Sequence, residues 1–246
     1  MIAVIAPARL ASTRFPEKLL HEIHGKPLIL WVAERLAEQV PDIQRFFAVD
    51  DAKLEEVLLD AGHRAVMTSV EHVSGTDRLA EANEKIGADV VINVQADEPL
   101  VAASQIIALK GFIEAGAGMA TLATPFKTRR DFLDPNQVKV VVSEKNEALY
   151  FTRAPAPYNR DDFESFDDAW VRESPTYRHL GLYGYSADFL KTYCKLPEGK
   201  LERIEKLEQL RVLENGYKIK VGFTDEVSIG IDTAEDAADF AAYLVD

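Results

Sequence analysis

Short apolar runs alternate with stretches of helical period along the first half of the chain. Residues 2–6 (IAVIA) are continuously apolar and predict a buried strand. Residues 27–39 put Leu28, Trp31, Val32 and Leu36 near one face of a helix. A second strand is predicted at 45–49 (RFFAV), then a helix over 51–62 that stops at a glycine. A short strand follows at 65–68 and a helix at 76–86. Residues 89–95 (DVVINVQ) form an apolar, β-branched run of the kind found in central parallel strands, and 99–116 read as a helix. This β-α alternation predicts a mostly parallel sheet flanked by helices, with right-handed crossovers. Ligands of such sheets sit at the carboxyl ends of the strands.

The pattern changes near residue 118. MATLATPF, VKVVVSE, ALYFTR and YRHLGLYGYS read as strands with irregular links, and DDFESFDD (161–168) reads as an exposed loop. We take about 120–190 as a β-rich arm inserted into one domain spanning 1–246. A helix is predicted over 201–214, then strands in KIKVGFT and SIGID, then a last helix from Ala234.

Charge sharpens the picture. The 246 residues carry a formal net charge of −13, which disfavours nucleic acid backbone and anionic membrane as partners. No apolar run is long enough to span a bilayer, and MIAVIAPARLASTR lacks the basic start and long apolar core of a secretion signal. The single cysteine, Cys194, excludes an internal disulfide framework and fits a cytoplasmic protein.

Against that acidic background, PARLASTRFPEK (7–18) gathers Arg9, Arg14 and Lys18 just after the first strand. Guanidinium and ammonium groups beside backbone N–H groups suit a multiply charged phosphate. The loop has neither the P-loop nor the dinucleotide glycine pattern, so hydride transfer is disfavoured. QADEP (95–99) ends the most apolar strand. Either Asp97 holds Mg²⁺ there, or Asp97 or Glu98 caps the next helix. In SIGIDTAED, Thr233 and Asp236 have the spacing of a capping box, which leaves Asp232, at a strand end, as a candidate second metal ligand. Two carboxylates and a cationic loop are equipment for phosphoryl or nucleotidyl transfer.

On the 201–214 helix, Glu208 and Arg211 fall on the apolar arc. Either they form a buried pair, or Glu208 faces a polar cavity. In YRHLGLYGYS, His179, Tyr183 and Tyr185 share one strand face, with Gly181 leaving room between them. They form either a ligand wall or an ordinary structural cluster.

Taken together, PARLASTRFPEK, GKPLI, MTSVEHVSGTDRLAE, VINVQADEPL, ALYFTRAPAPYNRD, RHLGLYGY, LEQLRVLENG and GIDTAED resemble the 3-deoxy-manno-octulosonate (Kdo) cytidylyltransferases of lipopolysaccharide assembly, collinearly from residue 2 to about 240. The resemblance implies a glycosyltransferase-A-like α/β domain with an inserted dimerisation arm, and a homodimer. It implies a Mg²⁺-dependent reaction of CTP with Kdo to give CMP-Kdo and diphosphate. Ala8, Arg9, Ser12, Arg14 and Lys18 would bind CTP, with Arg14 and Lys18 facing the β- and γ-phosphates. Thr68, Ser69, Ser74 and Asp77 match positions that handle the cytosine and its loop. Asp97 and Asp232 match the metal ligands.

Arg78, Gln95, Arg153 and Arg160 match positions lining the sugar-acid pocket, as do His179, Tyr183, Glu208 and Gln209. Related substrates, 8-amino-Kdo or a nonulosonic acid, fit the same chemistry, and a non-catalytic nucleotide-binding role is the rival of another class. The chain departs from the family pattern at Glu17, Ala96 and Val49, where glycine, glycine and threonine are usual. If the glycine at position 96 served a positive φ, Ala96 would strain its turn by about 1–2 kcal/mol.

Overall fold

The computed structural model describes residues 1–12, 14–72, 74–226 and 229–245. Its first half alternates as the hydrophobic pattern predicts. β1 (Ile2–Ala8) leads through a one-turn 3-10 helix (Lys18–Leu20) and a small ribbon, β2 (Glu22–Ile23) and β3 (Lys26–Pro27), into α1 (Leu28–Gln39). Next come β4 (Gln44–Val49), α2 (Ala52–Asp60), β5 (Ala65–Met67), α3 (Gly75–Ile86), β6 (Val90–Asn93) and α4 (Ala103–Glu114). The second half contains β7 (Met119–Pro125), α5 (Arg129–Leu133), β8 (Lys139–Val142), β9 (Ala148–Thr152), α6 (Asp168–Glu173) and β10 (Tyr177–Ser186). It closes with α7 (Ala187–Tyr193), α8 (Lys200–Glu205), α9 (Leu210–Glu214), β11 (Lys220–Phe223) and α10 (Ala234–Tyr243).

The main sheet runs β11-β7-β10-β6-β1-β4-β5. β6, β1, β4 and β5 are mutually parallel, and β7 is parallel to β11. β10 is the exception, lying antiparallel between β6 and β7. Side chains alternate across the sheet, so each strand feeds two cores. Val4, Ala6 and Ile92 pack with α1, α2 and α4 on one face. Ala3, Ile5 and Val91 pack with Leu79 of α3 and Leu190 of α7 on the other.

Several elements differ from the sequence reading. The end strands of the expected arm, β7 and β10, are central strands of the sheet. Within 126–176, β8 and β9 extend the same sheet from β10, and α5 and α6 with their links lie beside it around Phe126, Phe132, Phe166 and Val171. α4 starts at Ala103, later than expected, because Gln105 Oε1 accepts the Ala102 N–H at 2.9 Å and 96–100 is spent in turns. Neither Asp97 nor Glu98 therefore caps it. The strand expected in SIGID begins at Ser228, outside the described residues, and 229–232 run without strand pairing. Asp232 thus follows a segment without strand pairing, which a backbone bond from the Ile231 N–H to the Asp97 carbonyl (3.0 Å) ties to the turn after β6.

The helix predicted over 201–214 is broken. Lys206 ends α8 in the left-handed region (φ 55°, ψ 48°), and α9 begins only at Leu210. The break brings Arg211 back onto Glu202 in a two-pronged pair, Nη2 to Oε1 at 2.6 Å and Nε to Oε2 at 2.9 Å. Nine residues along an unbroken helix would put the two on opposite faces, about 13.5 Å apart along the axis. The Glu208–Arg211 pair considered from sequence is replaced by this one, and Glu208 is left to face a cavity.

Candidate active site

β1 pairs with β6 only as far as Ile5 and Asn93, then continues to Ala8 beside β4 alone. The two chains part there, and a cleft opens at the carboxyl end of the sheet. The loop after β1 crosses its mouth. Asp50, at the end of β4, anchors this loop by accepting the Leu10 N–H at 2.9 Å, and buried Leu19 pins its far end. Glu17, just before the 3-10 turn, is in the left-handed region (φ 49°) and pairs with Lys53. Ala96 keeps a negative φ, so the backbone demand for glycine falls on Glu17 and not on Ala96.

This path aims Lys18 into the cleft. Its Nζ donates to Asp97 Oδ2, to Asp232 Oδ1 at 2.9 Å and to the Ile231 carbonyl at 3.0 Å. Arg14 Nη2 stands 2.9 Å from the other oxygen of Asp232. Burial works against the charge on Lys18, but Asp97 and then Asp232 outweigh it and leave its pKa raised. Burial likewise opposes charge on Asp232, and Lys18 and Arg14 outweigh it and hold that carboxyl below its ordinary value. The two carboxylates expected from sequence do converge, and they are bridged by the lysine expected on phosphate. Asp97 and Asp232 could hold a divalent cation. Among the described residues no cluster of three or more His, Cys, Asp or Glu forms.

The cleft has two chambers. The outer one, about 320 Å³, is lined by Ala8, Arg9, Ser12, Arg14 and Lys18 from the loop, and by Ser74, Arg78, Asp97 and Asp232. The inner one, about 280 Å³, takes in Asn93, Tyr183, Tyr185, Tyr193 and Gln209. Gly75, Gln95 and Glu208 line both. Glu208 is open to the solvent of the cleft. Surrounding protein still raises its pKa, an effect that Arg211 only partly offsets.

A family model described as cytidylyltransferase matches residues 3–219. A 3-deoxy-manno-octulosonate cytidylyltransferase of Parabacteroides distasonis is 46% identical over 98% of this chain and 96% of its own length. One from Xanthomonas campestris is 48% identical, covering 96% of each. The solved structure of a CMP:2-keto-3-deoxy-manno-octonic acid synthetase complexed with CTP superposes with a TM-score of 0.89, at 35% identity, over 99% of this chain and 98% of that one. The chain belongs to the 3-deoxy-manno-octulosonate cytidylyltransferase family. HddC from Yersinia pseudotuberculosis, at 14% identity and TM-score 0.70, shares the fold.

The remaining residues expected at the site of this family member are spread more widely. Arg78 is buried at the floor of the outer chamber, where Nη2 meets Asp50 at 2.9 Å and Nη1 meets Thr68 Oγ1 at 2.6 Å. Thr68 in turn donates to the Val49 carbonyl at 2.8 Å. Ser74 caps α3 by accepting the Asp77 N–H at 3.0 Å and donating to Asp77 Oδ2 at 2.9 Å. His179 lies behind Tyr183, 3.0 Å from Thr121 Oγ1, and burial lowers its pKa to about 3, so the ring is neutral. Arg153 clasps the Glu205 and Pro135 carbonyls at 2.8 and 3.1 Å, away from both chambers. Arg160 is exposed on a turn of the 126–176 segment. None of Thr68, Ser69, Asp77, Arg153, Arg160 and His179 lines either chamber.

Sequence reasoning missed Asp50, the shared anchor of the loop and Arg78. Its position directly after a strand, followed by the α2 cap Asp51, was the available signal. It also missed Glu81, which fastens the loop before α3. Glu81 Oε2 accepts the Ser69 N–H at 2.9 Å and meets His72 Nε2 at 2.6 Å, while Oε1 meets Lys85 at 2.9 Å. The Ser69 amide and then Lys85 hold its pKa at about 2, against an ordinary 4.5. A carboxyl whose folded pKa is depressed stabilises the fold above its unfolded pKa, and that contribution fades as pH falls. The stability difference between wild type and Glu81→Gln, measured by urea unfolding, is therefore expected to be full above pH 5. It should shrink steadily between about 4.5 and 2. A difference independent of pH across that window would refute the role.

Proposed function

We propose that the protein joins CTP to Kdo, releasing diphosphate and forming CMP-Kdo, with Mg²⁺ as cofactor. The observation that carries this reading is the convergence of Asp97, Asp232, Arg14 and Lys18 at the outer chamber, open through Gln95 and Glu208 to a second chamber of sugar size. CTP fits the outer chamber, with its phosphates toward Arg14 and Lys18. The sugar acid fits the inner one, with its reacting carbon at the shared wall. The C2 hydroxyl oxygen attacks the α-phosphorus, the bond to the β-phosphate oxygen breaks, and the hydroxyl proton passes to solvent.

The donor set suits Mg²⁺. Hard carboxylate oxygens from two chain segments face a common point, and an ammonium already occupies that point, so positive charge is what the geometry demands there. Asp97 and Asp232 would hold the ion, with phosphate oxygens and water completing its shell. Its chemistry, when bound, is to acidify the attacking hydroxyl and neutralise charge on the phosphate oxygens. Lys18 must then leave the carboxylates. The β- and γ-phosphates give it a new anionic partner, and with Arg14 it stabilises the departing diphosphate.

The reading extends to a homodimer formed through the 126–176 segment, working in the cytoplasm for lipopolysaccharide assembly. No helix among the described residues is long and apolar enough to cross a membrane.

The test is diphosphate release from the purified protein with CTP and Mg²⁺, using Kdo, 8-amino-Kdo and a nonulosonic acid in parallel. Release that requires Kdo is the expected result. Release with another sugar alone would correct the substrate, and none with any sugar would overturn the activity.

A further inference from the structure

β6 reads Val90, Val91, Ile92, Asn93, and its last residue breaks the apolar pattern. Val91 and Asn93 share the face that packs toward α3 and α7. Val91 continues the core there, whereas Asn93 ends it with an amide. Asn93 is 2% exposed, and its Oδ1 has no hydrogen-bond partner among the described residues. Native proteins satisfy nearly all such atoms, so an orphan calls for a reason.

Among the described residues, the other buried side-chain polar atoms without partners belong to Gln105 and Arg129, which line neither chamber. Asn93 lines the inner chamber, directly across the β6–β10 ladder from Tyr183. Residues opposite one another in a ladder project to the same side, so the amide and the phenol face the chamber together. The other polar groups around this space are hydroxyls of Thr76, Tyr185 and Tyr193, amides of Gln95 and Gln209, the Glu208 carboxyl and the Lys206 ammonium. The inner chamber therefore suits a hydroxylated sugar acid, and the Asn93 oxygen, closed off as the side chain stands, gains a partner when the amide turns about its last side-chain bond toward a sugar hydroxyl.

We propose that Asn93 is a specificity-determining residue, whose amide oxygen accepts a hydrogen bond from a sugar hydroxyl away from the reacting carbon. This rests on the proposed sugar-cytidylyltransferase reading. A buried acceptor that only the correct substrate satisfies discriminates strongly against a substrate lacking the donor. The mate of Asn93 on the strand face, Val91, offers no such discrimination, which gives the amide at this one position its purpose.

The experiment uses the sugar that wild type turns over. If none is turned over, the activity reading and this proposal fall together. Asn93→Leu keeps the volume and removes the amide, and Asn93→Ala removes both. Both variants should keep the CTP-induced rise in melting temperature and a KM for CTP within about twofold of wild type. KM for the sugar should rise about 10- to 100-fold, the range expected when one buried hydrogen bond is lost.

A series of mono-deoxy sugars then locates the partner. One analogue should cost wild type the same factor, with no further loss in Asn93→Leu. A sugar KM unchanged in Asn93→Leu overturns the proposal, as do losses that multiply for every analogue. Should neither variant fold, wild type alone decides: equal KM for all the deoxy sugars overturns it, and a selective loss supports it. A purely structural amide would lower the melting temperature and leave the sugar KM and the analogue pattern untouched.

Discussion

Asp97→Ala is expected to lower kcat for diphosphate release about a thousandfold, equivalent to about 4 kcal/mol of barrier. Asp97 is the only described side chain that shares Lys18 with Asp232, and it sits on a turn whose backbone is bonded to Ile231. Removing its carboxylate takes away half of the charge that would hold the cation. It also leaves Lys18 with Asp232 as its one carboxylate partner beside the Ile231 carbonyl, with the cation site unbalanced toward positive charge. The side chain is only partly buried, at 24% exposed, so the fold should tolerate the change.

The check is steady-state diphosphate release at saturating CTP, together with Mn²⁺ binding followed by electron paramagnetic resonance. Turnover within tenfold of wild type would exclude Asp97 from the chemistry. Unaltered Mn²⁺ binding would exclude it from the metal site.

Glu202→Ala is expected to destabilise the protein by about 3–5 kcal/mol, because it strands the Arg211 guanidinium without its partner. The side chains are 6% and 15% exposed, and Glu202 Oε2 also accepts the Gly199 N–H at 3.0 Å. Urea unfolding at pH 7 measures the loss. Glu202→Leu combined with Arg211→Met should recover most of it, since an apolar pair of similar volume avoids the burial of charge.

The same pair fixes the break at 206–209, which sets Glu208 and Gln209 against the inner chamber. In Glu202→Ala, KM for the sugar should therefore rise more than KM for CTP. Equal changes in the two constants would show that the break does not position the sugar wall.

Much of the site was legible because its pieces are local. The cationic loop, the acidic turn after the most apolar strand and the Thr233–Asp236 capping box each occupy a few consecutive residues. The Thr233–Asp236 box forms as read, with the Thr233 N–H and hydroxyl both 2.8 Å from Asp236 Oδ2. Glu208 was legible as an anomaly, a charge on an apolar arc. Other features were hidden because their partners lie far along the chain. Lys18 meets Asp97 across 79 positions and Asp232 across 214, so a residue expected on phosphate is found on carboxylates. Arg153 and Arg160 carry motif positions, yet the 126–176 segment holds them away from both chambers. Asn93 looked like one more residue of a strand until the ladder with Tyr183 showed which way it faces.

The sequence by itself determined the alternating elements, their parallel arrangement in the first half and the segments that bear charge. Hydrophobic period and capping chemistry act over a few residues and are written directly in the order of side chains. Only the tertiary structure decided that β10 inserts antiparallel beside β6, that the 201–214 helix breaks and that Lys18 bridges two aspartates. It alone decided that an amide is left facing the inner chamber. Each of these depends on which distant groups can satisfy one another once water is excluded, and local pattern carries no record of that choice.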